Sequence, residues 1–180
     1  MIDSRITSHY NKTISKELVH KFDYLNFHEL INLEKIVLNL SLKSSVLNKT
    51  DKELIDSLLA LYLIRGSVPE LTFAKKSNLK LRLQKKDYSG ITLILKKKAA
   101  TNFVDFFIHF VAPRIKNLKP IHKIDNKGNL TLYLSSLLSF TQLELNYQHF
   151  HILKDLTITF VFNSKKQSKF LSSSYRIPIR

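Results

Sequence analysis

The chain has 180 residues, 44% of them hydrophobic, and a formal net charge of +15 from 29 Lys plus Arg against 14 Asp plus Glu. That apolar share builds a core rather than a disordered tail, and a globular chain this basic calls for a polyanion to offset its self-repulsion, nucleic acid ahead of an anionic membrane. The absence of cysteine excludes disulfides, thiolate catalysis and Cys-bearing zinc sites, and three glycines leave no room for a Gly-rich phosphate loop or a dinucleotide fingerprint.

In chain order, Met1-Ile2-Asp3-Ser4-Arg5 carries an early acid and no apolar run, unlike a secretion signal. Ile14, Leu18, Val19 and Phe22 are spaced for a helix over about residues 11–22. Residues 33–43 alternate: Ile36, Leu38, Leu40 and Leu42 fall on one face of a strand, and Lys35, Val37, Asn39, Ser41 and Lys43 on the other, which is polar and basic. Thr50-Asp51-Lys52-Glu53 is a capping box, and Leu54, Ile55, Leu58, Leu59 and Tyr62 form an apolar stripe predicted to face the core. Gly66 stops that helix and Pro69 follows.

A strand is expected from Leu71 to Ala74. Leu79, Leu81 and Leu83 alternate with Lys80, Arg82 and Gln84, and Ile91, Leu93 and Leu95 with Thr92, Ile94 and Lys96; the two runs read as neighbouring strands around a basic loop. Lys75, Lys76, Lys80, Arg82, Lys85, Lys86, Lys96, Lys97 and Lys98 stand here against the single acid Asp87, an excess better suited to phosphates than to plain solvation. Phe103, Phe106, Phe107, Phe110 and Val111 mark an apolar helix closed near Pro113; aromatics can stack on bases, but one-sided helical spacing points to packing on a sheet. No apolar run is long enough to span a membrane, and the best, around residues 103–112, is broken by Asp105 and His109.

Asp125-Asn126-Lys127-Gly128-Asn129 is a turn, followed by a strand through Leu130, Leu132 and Leu134. Leu156, Ile158, Phe160 and Phe162 make another strand, and residues 164–175 a short helix. The fold expected is α+β: about five strands, mostly antiparallel, with helices on one face and an exposed polar face. With no repeat and no Pro/Gly-rich linker, one domain over residues 1–180 is the simplest reading, with residues 1–7 a flexible end.

Chemistry has little foothold. Of seven histidines only His149 and His151 stand close together, with no carboxylate spacing to complete a zinc site; two surface histidines are the expectation. No G-x-S-x-G nucleophile motif occurs, and carboxylates are too scattered for paired acid–base work. No enzyme activity, metal or cofactor is expected.

Six segments, in order and at matching spacing, resemble the large-subunit ribosomal protein L-five family over about residues 8–180. They are Leu33–Leu40; Ala74-Lys75-Lys76-Ser77 with Lys80-Leu81-Arg82; Gly90-Ile91-Thr92-Leu93; Phe110-Val111-Ala112-Pro113-Arg114-Ile115; the Asp125–Asn129 turn, like the family's D-G-R-G-N; and Asp155–Thr159. The resemblance implies a protein of the central protuberance that binds 5S rRNA and large-subunit rRNA through its exposed sheet face. It also implies a basic loop directed at P-site tRNA, and neighbouring ribosomal proteins that include a small-subunit head protein across an intersubunit bridge. It places Asn39 and Thr92 toward 5S rRNA, and Lys75, Lys76, Ser77, Asn78, Lys80 and Arg82 in the tRNA-facing loop. Lys35, Lys43, Lys96, Lys97 and Lys98 complete the expected RNA-binding set.

The pattern also departs from the family. Gly66-Ser67-Val68-Pro69 replaces G-Q-K-P, Phe140-Thr141-Gln142 replaces F-P-E, and the tRNA-facing loop is two residues shorter, without the usual V-A-G-F. Asn78, the residue there most tolerant of positive φ, is expected at the loop's turn. Divergence and an AT-type composition point to a mitochondrial member, with chloroplast or bacterial cytoplasm as the alternative; a non-ribosomal basic RNA-binding module is the alternative function.

Overall fold

The computed structural model describes residues 5–22, 24, 26–42, 51–79, 84–115, 124–151, 153, 155–164 and 167–177. Helix α1 (Arg5–His9) widens through a π-type turn over Tyr10–Ile14 and continues as α2 (Ser15–Lys21). Strand β1 (Leu33–Ser41), helix α3 (Asp51–Arg65), strands β2 (Glu70–Phe73) and β3 (Tyr88–Lys96) and helix α4 (Lys97–Phe106) follow. Strand β4 (Leu130–Leu134), the single turns α5 (Thr141–Glu144) and α6 (Tyr147–Phe150), strand β5 (Leu156–Phe162) and helix α7 (Ser168–Ser174) complete the order.

The strands form one antiparallel sheet in the order β2-β3-β1-β5-β4. Strand alternation decides which face is buried. Ile36, Leu38 and Leu40 of β1, Ile91, Leu93 and Leu95 of β3, Leu130, Leu132 and Leu134 of β4, and Leu156, Ile158, Phe160 and Phe162 of β5 are all buried. Residues between them stay partly or wholly exposed, apart from Gly90. The α+β class, the antiparallel sheet and the strand parity are therefore as predicted.

Backbone contacts group the chain into two compact units. The first comprises Met1–Ile36, Leu95–Leu132 and Thr159–Arg180. In it, Ile14 and Leu18 are buried, as are Phe103, Phe107 and Val111, and the Phe107 ring meets Phe160 edge-on at 6.4 Å. The Phe22 ring meets Phe170 at 5.9 Å, and Lys21 Nζ lies 4.4 Å above that same ring. The second unit comprises Val37–Ile94 and Tyr133–Ile158, where α3 packs on α5 and α6 and His149 Nδ1 lies 3.8 Å from Asp56 Oδ1.

Several local expectations need correction. The N-terminal helical run starts at Arg5, well before residue 11, with Ile6 buried, while Val19 is half exposed. On α3 the face in the core is Ser57, Ala60, Leu61 and Ile64; Ile55, Leu59 and Tyr62 of the predicted stripe are 59%, 44% and 47% exposed. From Leu58 to Ile64 this helix is apolar at every position, so periodicity there cannot choose a face and the packing of α5 and α6 does. Phe110, expected in the apolar stripe of its helix, is 52% exposed and stacks on Phe106 at 5.5 Å instead. Leu79 belongs to none of the five strands and is 94% exposed; residues 81 and 83 lie outside the described set, as does Thr50 of the capping box. The helix stop at Gly66 is as expected: its φ is +68° and its N–H donates to the Tyr62 carbonyl at 2.6 Å.

Candidate nucleic-acid interface

The site is built from side chains that β1, β2, β3 and β5 leave on the face turned away from the core. In the second unit, the Thr92 hydroxyl donates to Asn39 Oδ1 at 3.2 Å, and the Thr157 hydroxyl donates to the Asn39 carbonyl at 3.0 Å. Thr72 pairs with Gly90 across the β2–β3 register, two residues along β2 from Glu70, which stands opposite Thr92. A Cβ on Gly90 would stand 2.7 Å from the Leu40 carbonyl oxygen, 3.3 Å from Thr72 Oγ1 and 3.6 Å from Asn39 Oδ1. Glycine is thus what lets Asn39, Thr72 and the strands beneath them close up.

The result is a group of hydroxyls and an amide at fixed positions. A carboxamide whose Oδ1 is held by Thr92 presents its Nδ2 donors elsewhere, suited to an acceptor on RNA such as a phosphate, a ribose 2′-hydroxyl or a base edge. In the first unit, Thr131 and Thr159 hydroxyls lie 3.2 Å apart, extending the same chemistry on β4 and β5.

The sequence-selected residues divide into three groups within the described residues and a fourth outside them. Asn39 and Thr92 are brought into direct contact. Lys35 lies two alternations before Asn39 on the outward side of β1, and Lys96 ends β3 on its outward side; Lys97 and Lys98 open α4, and all three of these last lysines are exposed. Lys75, Lys76, Ser77 and Asn78 follow β2 as an exposed segment. It leaves the β2–β3 hairpin just beyond the Ala74 N–H bond to the Asp87 carbonyl, 2.9 Å, and the Lys86 N–H bond to the Ala74 carbonyl, 3.0 Å. Lys43, Lys80 and Arg82 lie outside the described residues. Asn78 does not take the positive φ expected of it; among the described residues of this hairpin that conformation falls on Lys86, at +76°.

Strand parity did not single out Gly90 and Thr72, because a partner strand's proximity leaves no mark on local pattern. A second set, gathered around Tyr10, His28 and Lys97, comes from segments far apart in sequence and carries no motif. Among the described residues no three His, Asp or Glu gather as a metal-holding group, and no helix is long and apolar enough to cross a membrane. His149 and His151 are both exposed, and the His151 ring is taken up by the carbonyls of Tyr147 and Gln148.

Residues 88–179 match the model of the C-terminus of the ribosomal L-five family. The large ribosomal subunit protein uL5m of Reclinomonas americana is 29% identical over 180 residues, covering 98% of each chain. The uL5 proteins of Geotalea daltonii and Geotalea uraniireducens are each 31% identical over 182 residues, covering 98% of this chain and 99% of theirs.

Proposed function

This chain belongs to the ribosomal L-five family and is a structural, non-catalytic constituent of the large ribosomal subunit; from that premise we propose that it binds 5S rRNA through the outward face of its sheet. The observation that carries the proposal is the Asn39–Thr92 hydrogen bond, which orients a polar side chain on the face not used by the core. Asn39, Thr92, Thr157 and their hydroxyl neighbours position the RNA, while Lys35, Lys43, Lys96, Lys97 and Lys98 neutralise phosphates. Matches over nearly the full chain favour this reading over a free-standing RNA-binding module.

Three finer roles belong to the same proposal. The segment with Lys75, Lys76, Ser77, Asn78, Lys80 and Arg82 approaches P-site tRNA, supported by the exposure of residues 75–78 at the end of a hairpin. A neighbouring small-subunit head protein is met across an intersubunit bridge. The ribosome is mitochondrial, supported by the uL5m relative and by the departures at residues 66–69 and 140–142.

The test is the affinity of the full chain for 5S rRNA by fluorescence anisotropy. Asn39→Ala should weaken binding by about 1–2 kcal/mol with the thermal midpoint held. Unchanged affinity in a folded variant would remove this face from the interface. A ribosome structure with a filled P site checks the loop: residues 75–78 packed on protein or rRNA, away from tRNA, would overturn that role.

A further inference from the structure

In the unit made of Met1–Ile36, Leu95–Leu132 and Thr159–Arg180, a cleft of about 830 Å³ opens between the N-terminal helical run, the approach to β1 and the start of α4. That volume is within the usual range for a small-ligand site. Its wall carries Lys16, Lys97, Lys98 and His28, and none of its described residues is acidic. Walls of low polarisability bearing one sign of charge concentrate the field, so the cleft favours an anion. The anion expected is larger than phosphate, because the same wall contains Tyr10 and Tyr175. The Tyr10 hydroxyl donates to the Ile31 carbonyl at 2.8 Å, which anchors the ring. Aromatic walls beside cations are what a base and its phosphate require.

Lys97 adds an independent observation. Where β3 turns into α4, its φ is +50°, while Lys96 before it is extended at −122°. Glycine would hold this turn without strain, yet a lysine is kept in a conformation non-glycine residues seldom adopt. Such outliers gather at functional sites, and this one places a cation in the wall of the cleft.

We propose that this cleft holds one unstacked nucleotide, with its phosphate at Lys16, Lys97 and Lys98 and its base against Tyr10 and His28. The proposal rests on the RNA-binding reading; it shares Lys97 and Lys98 with that interface but uses none of the hydroxyl and amide groups of the sheet face. A nucleoside monophosphate can come from an RNA strand or from a free mononucleotide, and the test separates the two.

Amide spectra of the full ¹⁵N-labelled chain would be recorded with AMP, with inorganic phosphate and with a short single-stranded oligoadenylate. The Asn32, Lys97 and Lys98 amides should shift with oligoadenylate and with AMP, at lower concentration for oligoadenylate. AMP binding more tightly than oligoadenylate would support the site and assign it to a free mononucleotide. Lys97→Gly suits the positive φ and should melt no lower than wild type. It should nevertheless bind oligoadenylate about tenfold more weakly, with a salt slope smaller by about 0.7. Lys16→Ala, on an exposed helical position, should weaken binding in the same direction. The proposal is overturned if neither AMP nor oligoadenylate moves these amides, if phosphate matches AMP, or if Lys97→Gly binds oligoadenylate as wild type does. Asn39→Ala with 5S rRNA reports on the sheet face alone, so failure of one result without the other tells the two apart.

Discussion

At Gly90 an added Cβ would stand 2.7 Å from the Leu40 carbonyl oxygen, a backbone atom of the neighbouring strand that cannot swing aside. At Gly66 nothing lies within 4 Å of the same position, and the constraint is φ, +68°. Gly90→Ala should therefore cost about 1–3 kcal/mol by overpacking the sheet. Gly66→Ala should cost about 1–2 kcal/mol through the left-handed conformation alone. Urea unfolding checks both, and only Gly90→Ala should also disturb the proposed RNA face, because Asn39 and Thr72 sit beside the new methyl. Tyr10 gives a pH dependence. Burial, then the neighbouring Tyr24 charge, pushes its hydroxyl up to about 12 from an ordinary 10, and burial pushes Tyr175 up as well. A raised folded-state pKa means the folded chain holds its proton more tightly. The contribution to stability is full below pH 10 and is lost as pH rises through about 12. Tyr10→Phe should flatten the fall in thermal midpoint over that window; an unchanged alkaline profile would show that Tyr10 does not contribute.

Among the elements, α3 shows how an apolar helix is oriented by its neighbours. Leu61 is fully buried and Leu59 is 44% exposed, although they stand two residues apart in a run that is apolar on both sides. Leu61→Ala should cost about 2–5 kcal/mol through reduced burial and a residual cavity. Leu59→Ala should stay within about 0.5 kcal/mol, as surface substitutions do. Equal effects in chemical denaturation would mean that the helix is rotated from the orientation described. The strands behave differently. In β5 every second residue from Leu156 to Phe162 is buried, and period-two alternation permits only one assignment of faces.

For the whole molecule the controlling quantity is the charge of +15. The affinity for a cognate rRNA fragment should fall steeply with salt, since each neutralised phosphate releases condensed cations. Reversing Lys96, Lys97 and Lys98 together should flatten the plot of log affinity against log salt by about 0.9 for each duplex phosphate that is no longer neutralised. A slope near zero in the wild-type chain would mean that phosphates are not the main source of affinity. An unchanged slope in the triple variant would place those lysines in solvent. Sedimentation of the chain with a mitochondrial large subunit, detected by antibody in fractionated extract, tests the compartment; recovery only with another ribosome would overturn it.

Much of this was legible in the sequence by itself. The alternation of β1, β3, β4 and β5 set their inward and outward faces, because side-chain direction in a strand is a local property of the backbone. The helix stop at Gly66 and the turn at Asp125–Asn129 were equally local, closed by bonds within a few residues, Tyr62 to Gly66 and Asp125 to Gly128. Parity alone also put Asn39 outward, and the resemblance put Thr92 near the same RNA. Only the tertiary structure decided that these two share a hydrogen bond, that Gly90 is the gap that admits them, and that Ile55 and Leu59 face out while Leu61 faces in. It also decided that Lys16, His28 and Lys97 line one cleft. These facts depend on which distant segment comes to lie alongside, and packing between such segments leaves no periodicity in either of them to read.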